Sequence, residues 1–290
     1  MKNFSKKIFF YGQRTIKSYG LRTSITKIQA HKKGKIKITG LSKFVDQNNE
    51  SEFTNILSKD GYVELDHLLD PKDLKEIKDY SSKLPLFDPF DRKLGHFEFS
   101  TIPNKTHVAN FSRQDLIKCT EIMNIANDPG ILRIVQDFLG CTPTISNVNM
   151  WWSKAGKEQA KDAQLFHRDV DDLKFCKLFI YLTDVGTNDG PHTYVKGSSS
   201  TNKLTTIRRY QDSEVIEQFG EDNIISFTRP KGSCFLVDTY GFHKGTLPIE
   251  NDRLLLQIQY SINPVGIENY KPVKISNNYN SYINRLLLKN

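Results

Sequence analysis

The sequence predicts a mainly β protein with flanking helices, arranged as an antiparallel sandwich or jelly roll with helical packing at one side. Helix patterns occupy the first half of the 290-residue chain and strand patterns the second half, without the alternation of strands and helices that parallel sheets need. The composition is 38% hydrophobic and 11% aromatic. That is enough apolar material for a sizeable core, and it excludes a wholly disordered chain.

The helix predictions rest on capping patterns. After a short alternating strand at residues 61–65, two Asp-Pro pairs begin at Asp70 and Asp128. Such a pair is typical of an N-cap followed by the first helical residue. The second pair predicts a helix with an apolar stripe that ends at Gly140, and residues 115–126 are also predicted as helical.

The strand predictions after Cys141 are short β-rich runs bounded by Gly, Pro, Asp and Asn. They are residues 144–152, 164–170, 175–183, 224–227, 234–238 and 254–261. The resulting division of the chain is a basic N-terminal arm at residues 1–50, a jelly-roll domain at 51–265 and a C-terminal tail at 266–290.

The net charge of +8 is confined to one end of the chain. Residues 1–45 contain 12 Lys or Arg and no Asp or Glu, whereas the rest has 29 basic and 33 acidic side chains. A basic arm on a mildly acidic body does not favour nucleic-acid binding, so no nucleic-acid partner is expected. Phe4, Ile8 and Tyr11 fall on one face of a short basic amphipathic helix, which suits the surface of an anionic membrane.

Three interpretations of the arm stay open at this point. It is a solvated tail or surface segment, a peripheral anchor on an anionic membrane, or an organellar import sequence if the source is eukaryotic. The chain has no run of 18 apolar residues, so no membrane-spanning helix is predicted. The four cysteines lack disulfide-scaffold or zinc-ribbon spacing, which favours a reducing compartment. The expected location is cytoplasmic, and peripheral association with a membrane surface stays open as an addition to it.

The strongest local signal is the tripeptide His167-Arg168-Asp169. On a strand, residues i and i+2 point to the same side, so His167 and Asp169 can bind one metal ion together. His243 comes shortly after an apolar strand and offers a third ligand. Two histidines and one carboxylate, with further coordination positions open, form the ligand set of non-heme Fe(II) oxygenases.

Arg253 stands ten residues after His243, at the head of an apolar strand. As a surface residue it pairs with Asp252 or Glu250. If it points into the barrel instead, its buried charge needs an anion. A bidentate guanidinium suits a carboxylate. The distal carboxylate of 2-oxoglutarate fits this second interpretation.

With these residues in place, the chain resembles the phytanoyl-CoA dioxygenase-like family of Fe(II)/2-oxoglutarate-dependent oxygenases. The resemblance runs from about Phe53 to Ser261 and lies in the order and spacing of several motifs. These are Asp60-Gly-Tyr-Val, Asp128-Pro-Gly-Ile-Leu with Phe138-Leu-Gly140, His167-Arg-Asp169, Leu178-Phe-Ile-Tyr-Leu-Thr-Asp184, Gly190-Pro191 with Val195-Lys-Gly-Ser198, and Lys231-Gly-Ser followed by His243 and Arg253. The family's usual Pro-Gly-Ser-His is replaced here by Lys196-Gly-Ser-Ser199, a change in a substrate-facing loop.

The resemblance implies a double-stranded β-helix (jelly roll) and a role for each matched residue. His167, Asp169 and His243 are the expected iron ligands and catalytic residues. Arg253 is expected to bind the distal carboxylate of 2-oxoglutarate, with the hydroxyl of Thr246 beside it. Halogenating relatives lose the carboxylate ligand, so the presence of Asp169 favours hydroxylation.

Two further residues are candidates for binding the cosubstrate. Asn149 lies on the strand before the metal motif and can form a hydrogen bond with a carboxylate. The alternative is that its side chain bonds to backbone groups at the edge of the sheet. Tyr181 can donate a hydrogen bond from the facing strand, with core packing as the alternative. His192 is not a candidate, because the adjacent Gly190-Pro191 turn predicts a surface loop.

The sequence therefore predicts a non-heme Fe(II)- and 2-oxoglutarate-dependent dioxygenase. It would use O2 to hydroxylate a C–H bond of a small or carrier-linked metabolite, with release of succinate and CO2. One alternative is a catalytically silent jelly-roll binding protein that retains the metal site. Another is a cupin-like metal enzyme that does not use 2-oxoglutarate, against which Arg253 argues. Because every candidate site residue lies beyond residue 145, removal of the arm is expected to leave this chemistry intact.

Overall fold

The computed structural model describes residues 2–289, with side chains from residue 6 onward. The helices are α1 (Lys2–Arg14), α2 (Tyr19–Lys33), α3 (Glu50–Asp60), α4 (Pro71–Ser81), α5 (Arg113–Leu116), α6 (Thr120–Ala126), α7 (Pro129–Leu139), α8 (Asp212–Phe219) and α9 (Ser281–Asn284). The strands are β1 (Tyr62–Glu64), β2 (Leu86–Phe87), β3 (His96–Phe97), β4 (Val108–Phe111), β5 (Thr144–Ser153), β6 (Phe175–Tyr181), β7 (His192–Val195), β8 (Ile224–Phe227), β9 (Cys234–Val237), β10 (His243–Gly245) and β11 (Arg253–Ser261).

Two antiparallel sheets form the jelly roll. The larger sheet has the strand order β1-β9-β6-β11-β5-β4-β2-β3, and the smaller has the order β10-β7-β8. Aromatic side chains pack between them: Phe227 of the smaller sheet stacks on Phe235 of the larger one, with ring centroids 4.5 Å apart. The predicted mainly β fold with flanking helices is confirmed. The inner faces of the two sheets enclose the space in which the candidate site lies.

The central strand β11 is buried on both faces, because helices cover the outer side of the larger sheet. Leu254, Leu256 and Ile258 alternate toward these helices and share one hydrophobic core with α3, α6 and α7. The C-terminal segment joins the same core through Leu287. The predicted cap of α7 is present, since the Asp128 carboxylate accepts two backbone N–H groups at 3.0 and 3.1 Å. The alternate residues of β11 point to the opposite side of the sheet, into the interior of the jelly roll.

Three local predictions differ from the structure. Residues 164–170 do not form a strand, because they pair with neighbouring segments only at single residues, as in the bridge between His167 and His243. The predicted helix at 115–126 is divided into α5 and α6 by a turn. His192 does not lie in a surface loop: it is 3% exposed within β7. That strand has four residues, too few for an alternating pattern to stand out.

The basic arm packs against the jelly roll. On α1, Phe10 is 2% exposed, and Gly266 lies so close to this helix that a Cβ there would be 2.3 Å from the Lys6 carbonyl oxygen. On α2, the buried residues include Arg22 and Ala30. The arm is therefore a docked surface segment of the body rather than a solvated tail.

The outward side of the arm is apolar at several positions. Ile8 and Tyr11 are 57% and 59% exposed, as the predicted amphipathic helix requires, while the side chain of Phe4 lies outside the described part of the chain. Between residues 2 and 289, no helix has the length and apolar character needed to cross a membrane.

Candidate metal centre and cosubstrate pocket

Backbone pairing between distant segments brings the three candidate ligands together. The N–H groups of His167 and His243 each donate to the other residue's carbonyl at 3.0 Å. As a result, Nε2 of His167 lies 3.5 Å from Oδ1 of Asp169, and Nε2 of His243 lies 3.3 Å from Oδ2. One ligand atom from each residue lies within 4.8 Å of the other two. This spacing allows all three side chains to hold one metal ion.

Both imidazoles are oriented for metal binding by their own backbone. Nδ1 of His167 lies 2.9 Å from the Leu165 carbonyl, and Nδ1 of His243 lies 3.0 Å from the Gly241 carbonyl. A carbonyl can only accept, so each Nδ1 carries the proton and each Nε2 presents a lone pair toward Asp169. Burial, followed by the neighbouring His243, lowers the pKa of His167 to about 4. The His167 ring is therefore a neutral ligand at pH 7.

Lys177 is a functional residue that the sequence reasoning missed. Its Nζ donates to Oδ2 of Asp169 at 2.6 Å and lies 3.4 Å from Oδ2 of Asp171. Burial alone would raise the pKa of Asp169, but the neighbouring Lys177 ammonium holds it well below its usual range. The sequence did contain one indication of this role: Lys177 lies within the apolar strand β6. A lysine in such a strand is buried, and a buried ammonium group needs a carboxylate partner.

Arg253 lies inside the jelly roll and not on its surface. It is 2% exposed and donates to the Gly190 carbonyl and, at 3.1 Å, to Oγ of Ser153. Its Nε has no hydrogen-bond partner, and no carboxylate pairs with it among residues 2–289. Gly245 leaves space beside the guanidinium, since a Cβ there would be 3.0 Å from Nη2. An arginine buried without a protein anion fits the carboxylate of a small acid.

Thr246 and Tyr181 are two further candidates for cosubstrate binding, and the structure places only Thr246 beside the turn that Arg253 contacts. Thr246 borders the turn that receives the guanidinium, because its N–H donates to the Pro191 carbonyl at 3.0 Å. Tyr181 uses its hydroxyl within the core: it donates to the Phe227 carbonyl at 2.9 Å and accepts the His192 N–H at 2.8 Å. Burial raises the pKa of Tyr181 to about 12. Its single proton is therefore not free for a cosubstrate.

The candidate ligands and Arg253 line one cavity of about 510 Å³ between the sheets. Asn149 also lines this cavity, on β5 opposite Gln257 of β11. Volumes of this size are typical of small-molecule sites. A jelly roll that carries two histidines, one carboxylate and a buried arginine around one cavity has the features of an Fe(II)- and 2-oxoglutarate-dependent oxygenase.

Comparison with known proteins agrees with this class. A sequence model described as phytanoyl-CoA dioxygenase (PhyH) matches residues 57–247. The chain belongs to the phytanoyl-CoA dioxygenase family, whose members use Fe(II), 2-oxoglutarate and O2. The basic arm precedes the matched region. No curated protein matches the chain.

Several solved structures share the fold. The structure of EctD from S. alaskensis with bound Fe is 15% identical and has a TM-score of 0.55, covering 89% of this chain and 93% of that chain. The 2-oxoglutarate-dependent carbocyclase SnoK from nogalamycin biosynthesis is 17% identical with a TM-score of 0.54, covering 78% and 86%. HygX from Streptomyces hygroscopicus, with nickel, 2-oxoglutarate and hygromycin B bound, is 16% identical with a TM-score of 0.51, covering 77% and 90%.

Proposed function

We propose that the protein hydroxylates a C–H bond of a small or carrier-linked metabolite, with Fe(II) held by His167, Asp169 and His243. One observation carries this proposal: a single cavity contains both the cluster of ligands and Arg253, a buried cation without a protein anion. Fe(II) bound there, with O2 and 2-oxoglutarate, supplies the oxidising power for attack on a C–H bond and yields succinate and CO2. The carboxylate of Asp169 favours hydroxylation over halogenation.

The residues of the chain bind and orient the reactants. The Nδ1–H bonds to backbone carbonyls keep the two Nε2 lone pairs directed at the metal position. Arg253 anchors the distal carboxylate of 2-oxoglutarate. Thr246 is bonded to the turn beside the guanidinium through its N–H, and its hydroxyl lies 3.0 Å from the Thr193 hydroxyl. The rings of Phe179 and His192, with centroids 4.6 Å apart and planes inclined by 33°, form part of one wall of the cavity. Asn149 is a further polar contact for the cosubstrate or substrate.

The direct test is anaerobic addition of Fe(II) and 2-oxoglutarate to the full-length protein. We expect a weak visible charge-transfer band, which appears when both bind at one centre, and succinate formation when O2 is admitted. A band without succinate in a broad substrate screen identifies a silent binding protein. Iron binding without any effect of 2-oxoglutarate identifies a cupin-like metal enzyme, and it contradicts the role of Arg253.

We also propose a division of the chain into a basic segment at residues 1–50, a catalytic domain at 51–265 and a C-terminal segment at 266–290. The region matched by the family lies within the proposed catalytic domain. The four cysteines are buried and unpaired with one another, in keeping with a cytoplasmic location. Because Phe10 and Arg22 are buried against the body, we place the arm with the mature protein rather than with an import sequence.

The arm is proposed to rest on the surface of an anionic membrane. Exposed apolar residues on α1 and α2 are Ile8 at 57%, Tyr11 at 59%, Leu21 at 52% and Ile28 at 58%. Exposed lysines accompany them, among them Lys7 and Lys27. Apolar side chains among cations are the features of an interfacial helix, with a basic side chain contributing about 1 kcal/mol near an anionic surface.

The double variant Leu21→Glu/Ile28→Glu should lose binding to vesicles that contain phosphatidylserine. The two changes remove apolar contact and add like charge, whereas the wild type should sediment with these vesicles at low salt and be released at high salt. The measurement is vesicle co-sedimentation. The control is Ile249→Glu, a change at an isoleucine that is 66% exposed in the loop before β11. Equal sedimentation of all three proteins contradicts the membrane proposal.

A further inference from the structure

Beyond the metal cluster, the wall of the cavity is rich in amide side chains. On the inner face of the larger sheet, Asn149 of β5 is paired with Gln257 of β11, and Asn147 with Gln259. All four line the cavity. Gln257 and Gln259 are 6% and 1% exposed. A molecule that enters the cavity beside the metal therefore meets two neighbouring rows of amides.

Gln259 and two further amide side chains of the cavity wall each have an atom without a hydrogen-bond partner within the described residues. These atoms are Nε2 of Gln259, Nε2 of Gln164 and Oδ1 of Asn110, all in residues that line the cavity. An unsatisfied buried polar group costs about 1–3 kcal/mol, so an occupant that bonds these atoms is favoured over one that does not. An acyl chain has no groups that can do so.

The fixed charges near the amides are paired with one another, and Asp171 shares the Lys177 ammonium with Asp169. Asp171 lies 3.4 Å from Lys177, whose strand position faces Gln259. Glu268 pairs at 2.9 Å with Arg113, which also donates to Oδ1 of Asn147 at 3.0 Å. This end of the cavity therefore presents hydrogen-bonding groups without a large excess of either charge.

We propose that the substrate presents a neutral, polyhydroxylated moiety of saccharide type to Asn147, Gln257 and Gln259, rather than an acyl chain. This inference rests on the proposed function. A hydroxyl group both donates and accepts, so a row of hydroxyls matches the carbonyl oxygen and the NH2 group of each amide. The moiety is a free sugar or the sugar of a carrier-linked metabolite, and both present the same hydroxyl chemistry to the amides.

The test is substrate-stimulated succinate formation by the Fe(II)-loaded protein with 2-oxoglutarate. One panel contains free monosaccharides, methyl glycosides and nucleoside diphosphate sugars, which separates free from carrier-linked sugars. The other panel contains fatty acids and acyl-CoA thioesters. We expect stimulation from the first panel alone. Stimulation by an acyl compound, or by neither panel, overturns the saccharide proposal, whereas absence of the Fe(II)/2-oxoglutarate band overturns the proposed function instead.

Variants of the amide residues test whether the saccharide binds to them. Gln259→Leu should raise the KM of the stimulating sugar by about 10- to 100-fold, because a hydrogen-bonding group is replaced by an apolar one of similar size. Gln257→Leu serves as the second variant if the first does not fold. The control is Gln47→Leu at the surface, for which the KM should stay unchanged. An unchanged KM in both cavity variants contradicts the assignment.

A separate observation concerns Arg22 of the arm, which is 3% exposed. Its Nη2 donates to the backbone carbonyls of Asp172 at 2.9 Å and Leu173 at 3.0 Å. Gln13 of α1 donates to the Val170 carbonyl at 2.6 Å. The arm therefore supplies hydrogen-bond donors to the carbonyls of Val170, Asp172 and Leu173, in the segment that follows directly after the candidate ligand Asp169.

Further contacts tie the arm to both halves of the metal centre. The Asp172 carboxylate accepts the Asn263 side chain at 3.0 Å, and that side chain also contacts Gln29 of α2 at 2.9 Å. The Arg22 guanidinium stacks over the Tyr240 ring at 4.1 Å, three residues before His243. Asp169 thus adjoins backbone that the arm contacts, and His243 follows three residues after a tyrosine ring that the arm contacts.

We infer that Arg22 is a positioning residue for the metal centre. Residues 170–173 are not in a strand, so no ladder of sheet hydrogen bonds holds them, and their buried carbonyls need donors from elsewhere. A fork of guanidinium donors holds two consecutive carbonyls in one geometry, which a single lysine ammonium cannot reproduce. Removal of the arm is then expected to impair iron binding, in contrast to the prediction from sequence.

The test is anaerobic Fe(II) titration of full-length Arg22→Met, together with thermal unfolding of the metal-free protein. Loss of an outer hydrogen-bond partner typically weakens metal binding by about 10- to 100-fold, and we expect a loss in this range. Arg22→Lys should recover little of the lost Fe(II) affinity.

The control variant is Lys27→Met on the same helix, which should bind Fe(II) as the wild type does. A lower melting temperature with unchanged Fe(II) affinity assigns a structural role only and overturns the inference. If Arg22→Met does not fold, Gln29→Leu tests the same segment through Asn263.

Discussion

Replacing His243 with alanine is expected to abolish 2-oxoglutarate turnover. The variant loses one of three ligands, and Asp169 loses the Nε2 atom that lies 3.3 Å from its Oδ2. Fe(II) affinity should fall by more than the roughly 10- to 100-fold that follows loss of an outer hydrogen-bond partner. The measurements are anaerobic Fe(II) titration and succinate formation. His167→Ala and Asp169→Ala should have the same effect on turnover.

The control for these ligand variants is His96→Ala, which removes an exposed imidazole on β3. This variant should keep both Fe(II) affinity and turnover. Circular dichroism should show that each ligand variant is folded, because the ligands are held by backbone pairing rather than by the metal. Full iron-dependent activity in His243→Ala would mean that the ligand assignment is wrong.

The second large effect is expected for Arg253→Ala. Loss of a charge-assisted, bidentate contact in a desolvated site costs about 2–4 kcal/mol, which corresponds to a 30- to 1000-fold increase in the 2-oxoglutarate concentration required. Fe(II) affinity should change little, since the guanidinium bonds to Gly190 and Ser153 and not to the metal ligands. The measurement is the KM for 2-oxoglutarate beside the Fe(II) dissociation constant.

Arg253→Ala also leaves the Gly190 carbonyl without its donor, so a variant that retains a cation is needed. Arg253→Lys keeps the charge and loses the bidentate geometry, and an intermediate KM is expected. Arg229→Ala provides the control, because that arginine pairs with Glu64 in a partly exposed position. An unchanged KM for 2-oxoglutarate in Arg253→Ala would exclude this residue from cosubstrate binding.

The sequence predicts the fold class and the grouping of the three candidate ligands, but not the way in which they are held. His167 and Asp169 were expected to share one face of a strand. The structure instead joins His167 to His243 through a single antiparallel bridge, with Asp169 bonded separately to Thr239. The spacing therefore indicated which residues meet. The backbone bonds that hold them come from segments 70 and 76 residues away, which a local pattern does not encode.

Arg22 shows why part of the site was not predictable, whereas the only signal for Lys177 was its position in an apolar strand. Both are cations, and composition alone places cations at the surface. Each is buried because other groups accept its hydrogen bonds: two carboxylates six and eight residues before Lys177, and backbone carbonyls about 150 residues away for Arg22. At Tyr181 the sequence left two alternatives, a hydrogen bond to the cosubstrate or core packing, and in the structure the backbone carbonyl of Phe227 accepts the hydroxyl proton.

The docked arm also has a thermodynamic consequence. If iron binds more tightly when Arg22 holds residues 170–173, then bound iron must stabilise the docked arm by the same free energy. A tenfold change in affinity corresponds to about 1.4 kcal/mol of such coupling. Loading the centre with Fe(II) should therefore slow hydrogen exchange of the backbone amides of α2. An anionic surface that engages the outer side of the same helix would act on the same equilibrium, so iron content and surface attachment would be linked properties of one molecule.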